Sequence, residues 1–313
     1  MATLAAAPGA LIDPRALMTI RSLELRARAV VEGFWSGLHR SPYHGFSVEF
    51  TEYRQYTPGD DPRHVDWRVF ARSDRFYLRK YEDETNLRVH VLADRSRSME
   101  YGSAGSTKAA YAATLAATLA YFLHQQGDAV GLTTFDEQVR DHLPPRHRAG
   151  HLRQVLQTLE RPAAGRATDL SAPFQHFSRL TAKRGLVLVI SDFLAPLERL
   201  GRDLLTLTAA GHEVAAFRVL DPAEPALALG GPALVEDVES GRALYIDPAQ
   251  AREAYGRRFG QHREELRGVT ARLGVMLHEV RTDEPLELAL FSFLQARARR
   301  GRLVRRATGG GGG

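Results

Sequence analysis

Leu186-Val187-Leu188-Val189-Ile190-Ser191-Asp192 decides the fold. Its apolar run carries no polar alternation, as expected of a strand covered on both faces, and such strands belong to parallel sheets flanked by helices. The run ends on a hydroxyl and an acid. On either side of it, strand-like and helix-like stretches alternate. Strands are expected at 87–92, 129–135, 186–190, 214–220 and 275–280, and helices at 107–126, 150–159, 172–180, 197–210, 248–273 and 286–297. This alternation predicts an α/β fold with a doubly wound, mostly parallel sheet. Such sheets place ligands beyond the carboxyl ends of their strands. A short edge strand is expected at 138–143, stopped by Pro144-Pro145, and an inserted β-hairpin at 229–246.

Before residue 85 the pattern differs. A helix is expected from Pro14 to Leu38, and strand-like pieces at 47–56, 65–71 and 76–81. Thr57-Pro58-Gly59-Asp60-Asp61-Pro62 forms a strong turn signal between the first two pieces. The chain therefore divides into an N-terminal helix and small β element (1–85), an α/β domain (86–300) and a basic, glycine-rich, flexible tail (301–313).

The 313 residues are 44% apolar, enough to fill a sizeable core. There is no cysteine, which excludes disulfides, thiolate metal sites and a cysteine nucleophile. With 42 basic against 37 acidic residues, the charge favours acidic partners only weakly. The basic stretch 252–272 also carries Glu253, Glu264 and Glu265, so a solvated face is expected there and nucleic acid is not an expected partner. No run is long and apolar enough to span a membrane, and residues 1–11 lack the basic start of a signal peptide. A cytoplasmic protein is expected.

The chemistry concentrates after the strand at 87–92, in Asp94-Arg95-Ser96-Arg97-Ser98. An acid and two hydroxyls at alternate positions suit a hard divalent cation, magnesium first and manganese second. One such triplet arises often by chance. Thr168, before a helix, and Asp192, at the end of the strongest strand, fall on the same expected ligand edge. Asp94, Ser96, Ser98, Thr168 and Asp192 together resemble the metal-ion-dependent adhesion site of von Willebrand factor A domains. The competing reading is that Asp94 and Asp192 cap helices while the serines satisfy turn backbone. Alternation should turn Arg95 and Arg97 away from the ligands. His39, His44 and His64 lack zinc-ligand spacing.

A second resemblance rests on Glu49-Phe50-Thr51-Glu52-Tyr53-Arg54-Gln55-Tyr56, continuing through Thr57 to Trp67 with Asp60, Asp61, Arg63 and Asp66. These residues resemble the domain of unknown function 58 family, whose members have a von Willebrand factor A-like fold. Arg54, Asp60, Asp61, Arg63, Asp66 and Trp67 form a dense set, either a structural clamp or a partner-docking surface. The resemblance implies a partnership with a MoxR-type AAA+ ATPase in assembly or a chaperone-like role. The expected function is a non-enzymatic, metal-dependent protein-binding module that takes an acidic side chain of its partner. A hydrolase using the same ion to activate water is the alternative.

Overall fold

A computed structural model of the chain describes residues 11–38, 52–55, 77–80, 87–162, 171–180, 183–228, 231–236 and 243–309. The chain forms two compact units, residues 1–37 with 87–313, and residues 38–86. In the smaller unit, β1 (Glu52–Gln55) pairs antiparallel with β2 (Tyr77–Lys80), so that Arg54 stands opposite Leu78. The strand expected at 65–71 lies outside the described residues.

The larger unit is built on one six-stranded sheet. Its strands are β3 (Arg88–Asp94), β4 (Ala129–Phe135), β5 (Val139–Arg146), β6 (Leu186–Ser191), β7 (Glu213–Leu220) and β10 (Met276–Arg281). They lie in the order β10-β7-β6-β3-β4-β5, and all neighbours are parallel except β4 and β5. This is the doubly wound α/β sheet expected from the alternation of elements. The connection from β3 runs to β4 on one side, and the later strands build out from β6 on the other. The order therefore reverses between β3 and β6, and in open sheets of this kind ligands bind beyond the carboxyl ends at such a reversal.

Every residue of β6 is buried. Val187 and Val189 pack with Phe174, Phe177, Leu200, Leu204 and Leu207, which come from the helices α5 (Ser171–Leu180) and α6 (Leu197–Ala209). Leu188 and Ile190 point to the opposite face and are equally buried. Two-sided cover is the physical reason for the unbroken apolar run.

On that opposite side lies α3 (Lys108–Gln125), capped by the Thr107 hydroxyl, which accepts the Ala110 N–H at 3.1 Å. It is buried on nearly all faces. Part of its outer cover is α2 (Leu23–Leu38), whose Phe34 meets Phe122 edge-on and whose Trp35 stacks on it with centroids 5.7 Å apart. That packing explains why residues 1–37 belong to the larger unit. The N-terminal helical stretch is also interrupted, with α1 (Pro14–Met18) separate from α2.

Two further boundaries differ from the sequence reading. The edge strand β5 runs through Pro144 and Pro145 and does not stop before them. A proline is tolerated on an edge strand because its missing N–H is not needed by a further neighbour. The β4–β5 register shifts between Val130 and Leu132, and a side chain at Gly131 would meet the Leu143 carbonyl at 2.6 Å. The last helix, α9 (Leu286–Gly309), continues into the stretch expected to be a flexible tail. Leu, Ala and Arg there favour helix, and the glycines end it. The expected hairpin is present as β8 (Ala233–Glu236) paired with β9 (Ala243–Ile246), followed by α8 (Pro248–Arg272).

Candidate metal centre

Asp94 is the last residue of β3, and Ser191 and Asp192 close β6 beside it, at the point where the strand order reverses. Asp94 is buried, yet both of its carboxylate oxygens have donors. Oδ1 accepts the Ser96 N–H at 2.8 Å and Oδ2 accepts the Ser191 hydroxyl at 2.6 Å. After Ser96 the chain makes one 3₁₀ turn, Arg97–Glu100, which buries Met99. That turn brings Ser98 back, so the Ser96 and Ser98 hydroxyl oxygens lie 3.1 Å apart. Arg95 points elsewhere. Its guanidinium donates to the Leu159 carbonyl at 2.9 Å and to the Arg161 carbonyl, at the end of α4 (His151–Leu159). A cation at a helix C-terminus meets the negative end of the macrodipole. Arg97 is exposed.

The other carboxylate is held differently. Asp192 Oδ2 accepts from the Lys108 ammonium at 2.8 Å, and Oδ1 accepts the Leu194 N–H at 3.2 Å. Phe193 has a left-handed φ of 55°, unusual for an aromatic residue, and its ring is buried in the core. Its N–H donates to the Ser191 hydroxyl. This sharp bend turns the chain out of β6 and leaves Asp192 facing the edge.

Lys108, 1% exposed at the first position of α3, also donates to Glu224 Oε1 at 2.6 Å. Glu224 lies on α7 (Ala223–Ala226), just beyond β7. Asp221, at the end of β7, accepts the Ser103 N–H at 2.7 Å and the Ser103 hydroxyl. The loop carrying Ser103 is tight: a side chain at Gly102 would meet the Ser106 carbonyl at 2.3 Å. A second buried cation, Arg218 of β7, donates to the Asp192 carbonyl at 3.4 Å, ion-pairs Glu279 at 3.5 Å and stacks on Phe259.

Burial and the nearby Asp192 hold the Asp94 carboxyl well above the usual carboxylate range, against the hydrogen bonds from Ser191 and Ser96. For Lys108, burial works to lower the ammonium, but Asp192 and Glu224 outweigh it and keep it raised.

The expected ligands are thus brought together in part. Asp94, Ser96, Ser98 and Asp192 share one edge, while Thr168 lies outside the described residues. Asp60, Asp61, Arg63, Asp66 and Trp67 also lie outside them, as do His39, His44 and His64. No cluster of three His, Asp or Glu side chains suited to a metal occurs among the described residues, so a cation here would depend on hydroxyls. The fit can be tested on spacing. Adjacent ligands in an octahedral magnesium shell stand about 2.9 Å apart, since each lies about 2.0–2.1 Å from the ion. The 3.1 Å between Ser96 Oγ and Ser98 Oγ matches such an edge. Asp192 does not fit as freely, because Lys108 already engages it.

Residues 52–265 match the family described as Protein of unknown function DUF58. The chain belongs to that family. It is 31% identical over 301 residues to uncharacterized proteins of Mycobacterium bovis and Mycobacterium tuberculosis, covering 95% of this chain and 94% of each relative. An uncharacterized protein of Mycobacterium avium is 32% identical over 163 residues, or 51% of this chain. Among solved structures, an aerotolerance-related membrane protein from Bacteroides fragilis aligns with a TM-score of 0.49 at 15% identity, over 68% of this chain and 99% of its own. The VWA domain of SpRpn10 aligns with a TM-score of 0.38 at 12% identity, over 64% and 92%. Likenesses this distant say nothing about activity.

In this DUF58 chain Lys108, Ser103, Asp221 and Glu224 were not expected at the site, and Ser191 was noted only as the hydroxyl before Asp192. A signal for the acids was present. An acid sits at or just beyond the carboxyl end of each parallel strand, at Asp94, Asp136, Asp192, Asp221 and Asp283. Lys108 carried a weaker one, a lysine at a helix start, where the macrodipole disfavours positive charge.

Proposed function

We propose that this protein is a non-enzymatic protein-binding module of the cytoplasm whose carboxyl edge, between β3 and β6, takes a divalent cation. The observation that carries the reading is the Ser96–Ser98 oxygen pair, 3.1 Å apart and beside buried Asp94 at the reversal of strand order. Asp94, Ser96, Ser98 and Thr168 would hold magnesium, or manganese in its place, with Asp192 behind them. When bound, the ion would offer an open, electrophilic position to an acidic side chain of a partner.

The chain's own residues prepare that edge. Ser191 and the Ser96 N–H fix the Asp94 carboxylate, the 3₁₀ turn aligns the two serine hydroxyls, and Arg95 is drawn away by the α4 carbonyls. Tyr101 and Leu194, 46% and 48% exposed, lie on the loops that follow Ser98 and Asp192 and give the partner apolar surface to bury. The partner we propose is a MoxR-type AAA+ ATPase, on the strength of the sequence resemblance.

Calorimetry with Mn²⁺ is the direct test. The wild type should bind one ion and Asp94→Asn none, with both folded by circular dichroism. Pull-down of the ATPase should depend on the metal and fail with the variant. Equal metal and partner binding by wild type and variant would sink the reading.

A further inference from the structure

Lys108 is an expensive residue for its position. It sits 1% exposed at the first turn of α3, where burial and the helix macrodipole both disfavour an ammonium. Two carboxylates, Asp192 and Glu224, close on it at 2.8 and 2.6 Å from two different strand ends. Well-packed apolar residues in place of all three, Lys108, Asp192 and Glu224, would hold the elements together at least as well. What an apolar residue cannot supply is a positive charge beside Asp192, and Asp192 is one of the carboxylates expected behind a metal ion.

The local charge supports this. Asp94, Asp192, Asp221 and Glu224 lie on this edge, and the two buried cations among them are Lys108 and Arg218. Arg218 already pairs with Glu279, so Lys108 is the cation that Asp192 and Glu224 share. Lys108 lowers a deficit that would otherwise be larger. Its cation is covalently fixed and always present, whereas an ion must be captured.

From this geometry we propose that Lys108 is a tethered cation that stands in for part of the charge of a divalent ion at this edge. It keeps Asp192 engaged and sets a low affinity for the free ion. The proposal rests on the metal-site reading above and adds its regulation: the edge stays assembled without metal, and the ion binds against a resident positive charge. A divalent ion held this way, with a second cation behind it, is more electrophilic toward a partner's carboxylate.

The test is Mn²⁺ titration, by electron paramagnetic resonance and calorimetry, of wild type, Lys108→Gln and Asp94→Asn. Glutamine retains N–H donors for the carboxylates and removes the charge. Lys108→Gln should bind Mn²⁺ about tenfold tighter or more, as expected when a like charge a few ångströms away is removed. Asp94→Asn should not bind. Binding by Lys108→Gln with a silent wild type would uphold the tethered cation while removing the metal from the wild-type protein. Equal affinity in wild type and Lys108→Gln, or weaker binding by the variant, would overturn the proposal and leave the metal reading standing. No binding by either would overturn both.

If Lys108→Gln does not fold, the wild type answers alone. Lysine ¹⁵N spectra should show one ammonium protected from solvent exchange, and saturating Mg²⁺ should shift it. An unmoved signal with Mg²⁺ bound would overturn the proposal.

Discussion

The two ends of the central sheet bury polar groups in opposite ways. At the carboxyl end, Asp94, Asp192, Asp221 and Lys108 each have partners at hydrogen-bond distance. Toward the amino end, His90 of β3 and His212 before β7 lie against Phe177, with ring centroids 4.7 and 5.4 Å from it. His90 Nε2 and His212 Nδ1 are buried without a hydrogen-bond partner. The difference follows from what each group can do when water is removed. A carboxylate beside a second carboxylate needs donors or a cation. An imidazole can shed its proton and then packs much like an aromatic ring. The end where the carboxylates find donors is the one arranged around a charge, and it coincides with the strand reversal.

Breaking the charged end should cost most. Lys108→Met strands Asp192 and Glu224 without their cation, and loss of one partner of a buried pair costs about 3–5 kcal/mol. Urea unfolding should show this as a lower midpoint with unchanged slope. A loss below about 1 kcal/mol would mean that the carboxylates find other partners, and the contrast between the two ends would weaken.

The histidine end should reveal itself through pH. Burial, helped by His212, His142 and Arg88, holds the His90 imidazole down to about 3, and burial also lowers His212. A group whose folded pKa is depressed contributes stability that is complete above its unfolded value, about 6.5. That stability is lost as pH falls toward the folded value. Acidification from pH 7 to 4 should therefore cost on the order of 3 kcal/mol through His90 alone. His90→Phe should flatten that slope in pH-dependent urea unfolding. An unchanged slope would place the acid sensitivity elsewhere.

Ser191→Ala is the finest probe. It removes the hydroxyl that donates to Asp94 and accepts from the Phe193 N–H. The expected loss is about 2 kcal/mol, since two buried groups are left short of a partner. Mn²⁺ affinity should change as well, because Asp94 is then less well oriented. A stability loss with unaltered metal affinity would separate the fold's need for this contact from the site's.

Much of the fold was readable because its signals are local. The unbroken apolar run of β6, the Thr107 cap before α3 and the turn residues between elements each act within a few positions. The sequence reading erred where tertiary neighbours overrode a local rule. Pro144 and Pro145 looked like a strand stop, but an edge strand with Gly131 opposite accommodates them. Arg95, by contrast, turns away from the ligands as alternation led one to expect, and the carbonyls of Leu159 and Arg161 supply its destination.

The sequence alone determined which strand ends carry acids and hydroxyls, because strand periodicity and the βα order place Asp94, Ser96, Ser98 and Asp192 on one edge. Only the tertiary structure decided which cation meets them. Lys108 is 84 positions from Asp192 and 116 from Glu224, and no spacing rule links such residues. Their meeting depends on α3 docking on the sheet with its first turn at the ends of β6 and β7, where desolvation makes a charge seek its opposite over any distance along the chain.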